Sequence, residues 1–286
     1  MMRLFPSYSF PVLAAAAFTL AGCVTTAPPS EKAETAQAAV PVKNAQETAK
    51  KYSDAAMQHI ARGEHAQAVE WYLKALSVRE EALGATHPET VSTYDLLAWA
   101  TLSKGDHEKT LEWYQKALSI RERSPQDVTD RITNLENIAR VYQRQGDYDN
   151  SVKWFKKTVE LREQVEGMEH PNTITDYHRI AKIYETQSDY RNALTWYRKA
   201  LQIQEKRLGK NHPDIADLRN DIASVHFAQG DFGQALSESL TAYNILINKL
   251  GIQHQKSRIV RSNMEEIYKN TSNQQPFADW LSENMR

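Results

Sequence analysis

Three histidines sit in the same local setting. His87, His170 and His212 each precede a proline, in the stretches HPET, HPNT and HPDI. A histidine at a fixed place can ligate a metal, act as a base near neutral pH, or mark a helix start. The following proline favours the last. It is welcome at the first helical position, where its missing N–H is no loss, and it keeps the residue before it out of helical φ/ψ. His254 stands at the equivalent place without its proline. Little else invites chemistry, since the chain holds no HExxH, CxxC, GxSxG, Walker or Rossmann glycine pattern. No catalytic residue, cofactor or metal site is nominated, and a protein without enzymatic activity is expected.

The single cysteine, Cys23, is the other reactive group. It closes the segment MMRLFPSYSFPVLAAAAFTLAGC, which has one basic residue, an apolar stretch and a small-residue end, the layout of a secretory signal. Pro6 and Pro11 leave an apolar run shorter than the roughly 20 residues that a membrane span requires. Leu20-Ala21-Gly22-Cys23 resembles a bacterial lipobox, against the competing reading of an ordinary signal with an incidental cysteine. The resemblance implies that residues 1–22 are a lipoprotein signal peptide and that Cys23 carries a diacylglyceryl group with acyl chains such as palmitate. Val24 stands where lipoproteins retained at the inner membrane carry aspartate, which implies the outer membrane, facing the periplasm. Residues 23–44 contain three prolines and no aromatic, and read as a lipidated, flexible tether.

The elements that position the histidines emerge when the chain is aligned on itself. RGEHAQAVEWYLKAL, KGDHEKTLEWYQKAL, QGDYDNSVKWFKKTV, QSDYRNALTWYRKAL and QGDFGQALSESLTAY superimpose, with turn residues Gly63, Gly105, Gly146, Ser188 and Gly230 spaced by 42, 41, 42 and 42. Small residues recur before the turn (Ala56, Ala98, Ala139, Ala181, Ala223) and after it (Ala75, Ala117, Thr158, Ala200, Ala242). They allow close helix approach, while Tyr72, Tyr114, Phe155 and Tyr197 fill the gaps beside them. The pattern resembles the tetratricopeptide repeat (TPR) family, in the long-helix variant found in kinesin light chains. It implies an all-α, right-handed superhelical solenoid of antiparallel helix pairs: five repeats over 45–256, then a degenerate repeat and capping helix over 257–286. Ser188 departs from the turn glycine and Ser239 from the packed aromatic. The tryptophan row (Trp71, Trp113, Trp154, Trp196) reads as packing against the next repeat or lying half-exposed on the convex side, with a ligand cage as the alternative. Phe277, Trp280, Leu281 and Met285 lie at helical spacing, as a helix closing the last repeat would have them, with a docking helix for a partner as the alternative. In such a stack, equivalent histidines are separated by at least a helix-packing distance of about 8–10 Å, whereas zinc needs each nitrogen at about 2.1 Å, so they cannot share one ion.

In the TPR fold the first helix of each repeat lines a concave groove. By register, the groove positions include Trp99 in the second repeat, Asn137, Arg140 and Arg144 in the third, His178, Arg179 and Lys182 in the fourth, and Asn220 in the fifth. Cations with amides beside them and an apolar end suit an extended or helical peptide bearing carboxylates. The same residues also suit a solvated helix face, because Glu136 with Arg140 and Lys182 with Glu185 are at ion-pair spacing. The Lys/Asn set of chaperone-binding TPRs is not reproduced. A net charge of −1 over 286 residues lacks the basic footprint of a nucleic-acid binder. The expected function is a membrane-anchored adaptor or scaffold that binds an envelope protein or peptide. A self-assembling structural factor for a secretin, a pilus or outer-membrane insertion remains open, and so does an envelope hydrolase.

Overall fold

A computed structural model of the chain describes residues 32–285. Among these, five helix pairs follow one another: α1 Lys32–Ala61 with α2 His65–Leu83, α3 Pro88–Lys104 with α4 His107–Arg121, α5 Val128–Gln145 with α6 Tyr148–Val165, α7 Pro171–Thr186 with α8 Tyr190–Leu208, and α9 Pro213–Ala228 with α10 Phe232–Leu250. Two more helices, α11 Gln255–Lys269 and α12 Phe277–Asn284, end the chain. Packing runs between helices adjacent in sequence, which is the quasi-one-dimensional order of a solenoid. The signal segment, Cys23 and the tether up to residue 31 lie outside the described residues. From Lys32 the chain is helical, unlike the irregular tether expected as far as residue 44. The Ala, Glu, Gln and Lys residues of KAETAQAAVPVKNAQETAKK are strong helix formers, and they outweigh the single Pro41.

The turn inside each pair is set by one residue. Gly63, Gly105, Gly146 and Gly230 take φ of 76°, 86°, 77° and 80°, and Ser188 adopts the same left-handed backbone at φ 60° without being glycine. An aspartate follows in four repeats and caps the second helix. Asp106, Asp147, Asp189 and Asp231 each accept a hydrogen bond from the backbone N–H three residues on. The first copy has Glu64 instead, which makes no such cap and pairs with His59 at 2.5 Å.

The recurrent histidines are N-caps. His87, His170, His212 and His254 have extended backbones, and each Nδ1 accepts from the N–H two residues ahead at 3.2–3.3 Å. In the second copy, Pro125–Asp127 form one short 3₁₀ turn before α5, where the repeat is a residue shorter.

All ten small residues of the two rows are buried, at 1% exposure or less. The aromatics beside them are also enclosed, and Ser239 is fully buried where the fifth repeat has none. The four tryptophans are half-buried, and Trp71, Trp113 and Trp196 each lie against a tyrosine of their own pair's first helix, where the third repeat has Leu135 near Trp154. Trp113 stacks on Tyr94 at 5.9 Å and Trp196 meets Tyr177 at a tilt at 5.8 Å, under Lys116 and Lys199. At the far end, Leu281 is buried and Phe277 and Trp280 lie 5.4 and 5.2 Å from the Tyr268 ring, so α12 covers the last apolar face. The boundary expected at 256/257 falls inside α11, because His254 starts that helix.

Candidate partner-binding groove

Side chains of successive first helices meet across repeats, which defines one continuous surface. His178 on α7 contacts Asp221 on α9 at 2.7 Å, Ser224 on α9 donates to Glu185 on α7 at 3.3 Å, and Asn263 on α11 donates to Asn220 at 3.2 Å. One helical row on this surface reads Met57, Trp99, Arg140, Lys182, Ser224, Glu266, each one period after the last. Its first two members are apolar and open, Met57 at 50% exposure and Trp99 at 43%. Fully burying such side chains contributes about 1.5–3 kcal/mol each, and roughly half of that surface is still open here.

The cations of the middle repeats are not bare. Arg140 pairs with Glu136 at 3.1 Å, Lys182 with Glu185 at 3.1 Å, and Arg179 with Asp176 at 2.7 Å and Glu136 at 3.5 Å. His178 faces the Asp221 carboxylate. The two ion pairs anticipated from spacing are formed, and carboxylates from neighbouring helices join them. Arg144 is exposed and makes no ion pair among the described residues. Asn137 and Asn220 are half-buried on the same surface. The eight nominated groove residues are therefore placed along the first helices, with Trp99 at the apolar end, Asn137 and the cations after it, and Asn220 last.

Sequence reading missed what lies beneath. Arg162, on the second helix α6, reaches under α7 and bonds to Asp176 Oδ2 at 2.8 Å, to Glu166 and to Glu136. Arg121 makes the equivalent reach from α4, to Asp95 at 2.6 Å and Asn134 at 2.5 Å, and Arg79 meets Thr93 at 2.7 Å. Their spacing of 42 and 41 was the available signal. Asp176 is fully buried, and burial pushes its carboxyl up, with Glu136 adding to the push against the Arg179 and Arg162 guanidiniums. Burial works against the Arg162 charge, yet Asp176, then Glu166 and Glu136, hold its pKa above the usual value. These clusters lock neighbouring repeats in register, and they hold Glu136 and Arg179 in place at the floor of the groove.

No group of three or more His, Cys, Asp or Glu side chains that could hold a metal occurs among the described residues. No described helix is long and apolar enough to cross a membrane.

The profile described as the tetratricopeptide repeat matches residues 47–123, 130–206 and 177–248. No curated protein matches the chain. Among solved structures, the kinesin light chain TPR-like repeats of Podosopora anserina are 19% identical, over 73% of this chain and 98% of that one, with a TM-score of 0.59. BtubC (BKLC) of P. vanneervenii is 20% identical over 76% and 84%, with a TM-score of 0.54. The apo form of RapI is 16% identical over 82% and 61%, with a TM-score of 0.61. At these identities the likeness is one of fold.

Proposed function

The chain belongs to the tetratricopeptide repeat family, and from that premise we propose that it is a non-enzymatic adaptor of the bacterial cell envelope, binding a protein or peptide along its first-helix groove. The observation that carries the reading is the row in which two exposed apolar side chains, Met57 and Trp99, precede Arg140 and Lys182 on successive helices. Such a row matches an extended or helical segment that is apolar at one end and acidic at the other. Because Arg140, Arg179 and Lys182 already face carboxylates, an acidic partner adds to existing networks, and Arg144 is the more available cation.

The leader supports a place for this adaptor. Cys23 carries the lipid, Val24 directs the protein to the outer membrane, and the solenoid faces the periplasm. Self-assembly through apolar ends is the weaker reading, because α12 covers the C-terminal end. Replacing Cys23 tests the anchor: in Cys23→Ala the protein leaves the membrane fraction or stays unprocessed. Unchanged lipid labelling of that variant removes the lipoprotein reading.

A further inference from the structure

The second helix of the third repeat carries a cluster of cations that its counterparts lack. Lys153, Lys156 and Lys157 lie within about one turn of α6. At their places the first repeat has Glu70, Leu73 and Lys74, the second Glu112, Gln115 and Lys116, and the fourth Thr195, Arg198 and Lys199. The last of the three positions recurs, and its lysine lies over a ring. Lys74 stands 4.0 Å from Trp71, Lys116 4.3 Å from Tyr94, Lys157 4.2 Å from Trp154 and Lys199 4.2 Å from Tyr177. Lysine at the other two positions belongs to the third repeat alone. All three side chains line an open cleft of about 500 Å³, together with Tyr184 from the end of α7. Small-molecule sites span about 300–1,000 Å³. Tyr184 stands two residues after Lys182, about 200° around α7, so the cleft opens away from the row of groove residues. None of the three ammoniums forms an ion pair among the described residues, although Asp149 and Glu160 stand four residues from Lys153 and Lys156. Asp149 accepts from the Gln187 amide at 2.8 Å instead, and Lys156 donates to the Tyr184 hydroxyl at 2.9 Å. That bond occupies an oxygen lone pair and leaves the phenolic proton to donate. The middle of the cleft therefore presents three ammoniums and one O–H, all donors, which is the composition of an anion site.

We propose that this cleft binds a compact, multiply charged phosphate group, a phosphomonoester or a diphosphate, between Lys153, Lys156 and Lys157, with the Tyr184 hydroxyl as fourth donor. The site lies apart from the partner groove and does not depend on the adaptor reading. Two features select the ligand. Lysine ammoniums are point charges that suit phosphate oxygens without demanding a planar, bidentate acceptor. A single carboxylate carries one negative charge against three ammoniums, whereas a phosphomonoester or diphosphate brings two or more. Asp149 and Glu160 then bound the site at its two ends, about 16 Å apart along α6. A nucleic-acid strand or a membrane face, whose charge continues past the three lysines, would run against both carboxylates. A compact anion sits between them.

The test is calorimetric titration of the full chain with inorganic pyrophosphate, methyl phosphate and acetate, at an ionic strength of about 0.15 M so that loose surface attraction is screened. Saturable binding of pyrophosphate is expected, weaker binding of methyl phosphate, and none of acetate. Lys153→Gln and Lys157→Gln, both at exposed side chains, should each weaken pyrophosphate about fivefold, and Tyr184→Phe should weaken it by a smaller factor. Lys74→Gln removes the same charge from the place equivalent to Lys157 in the first repeat and should leave the affinity unchanged. Circular dichroism of each variant should show native helix content. Glycerol phosphate and dioctanoyl phosphatidic acid separate the sources of the group: tighter binding of the lipid assigns it to a headgroup, and equal binding to a soluble compound, and both agree with the site. Absence of saturable pyrophosphate binding, acetate binding as tightly as pyrophosphate, or equal weakening by Lys74→Gln and Lys153→Gln overturns the proposal.

Discussion

Replacing Ser188 by glycine should stabilise the protein. Ser188 is the one non-glycine residue with positive φ among the described residues, at 60°, and four other repeats place glycine at the same turn. A left-handed backbone costs a residue with a Cβ about 1–2 kcal/mol. Glycine returns about 0.5–1 kcal/mol of that through the larger entropy it loses on folding. The net gain is about 0.5–1 kcal/mol, or a rise in Tm of about 1–4 °C for a chain of this size. The reverse change isolates the cause. A Cβ built on Gly146 meets nothing within 4 Å, so Gly146→Ser loses stability through its backbone alone and by a similar amount. Urea denaturation of the two variants measures both effects. Hydrogen exchange should place the Ser188→Gly gain mainly in α7 and α8, because coupling in a solenoid runs between neighbours. A neutral or destabilised Ser188→Gly, beside a costly Gly146→Ser, would refute the reasoning.

Two further perturbations follow from the buried and capping charges. Arg162→Met leaves the buried Asp176 with Arg179 but without the second of its two guanidiniums, and should cost up to about 3–5 kcal/mol, whereas Arg162→Met with Asp176→Leu should recover much of that loss; denaturant midpoints of the three proteins decide, and a double variant no better than the single contradicts the pairing. The Asp147 and Asp189 carboxyls are held below the usual carboxylate range, first by the Asn150 and Asn192 side-chain amides and then by their backbone N–H groups. A depressed folded pKa contributes stability that is present above the unfolded value near 4 and is lost as pH falls through the folded one. Thermal melts should therefore fall more steeply below about pH 4 for the native chain than for Asp147→Asn with Asp189→Asn, which keeps a capping oxygen and removes the titration. Equal slopes would exclude this contribution.

Much of the fold was legible because a repeat prints its packing rules five times. The two rows of small residues, the turn position and the histidine caps all recur at one period, and each has a local physical reason. The register also placed the groove residues on the first helices. What it left out was the charge balance there. Arg179 looks open in sequence, yet Asp176 stands three residues before it and Glu136 forty-three before, and both are held by Arg162 from a second helix. Charge networks of that kind depend on distances between repeats, which a one-dimensional pattern does not carry. The break in the aromatic row at Ser239 was legible directly, and its full burial was not. Residues 32–44 were misread because Pro41, with Pro28 and Pro29 shortly before the segment, obscured a run of helix formers.

The adaptor reading stands or falls on capture of a partner through the groove. The most direct measurement is co-purification from envelope extract with the native chain, with Trp99→Ala and with Arg144→Glu, both of which alter exposed side chains and should leave helix content unchanged. A partner held by the native chain and reduced at least about tenfold by Trp99→Ala, the loss expected for one buried aromatic anchor, is the predicted result. Equal capture by all three proteins would contradict the groove as the binding surface.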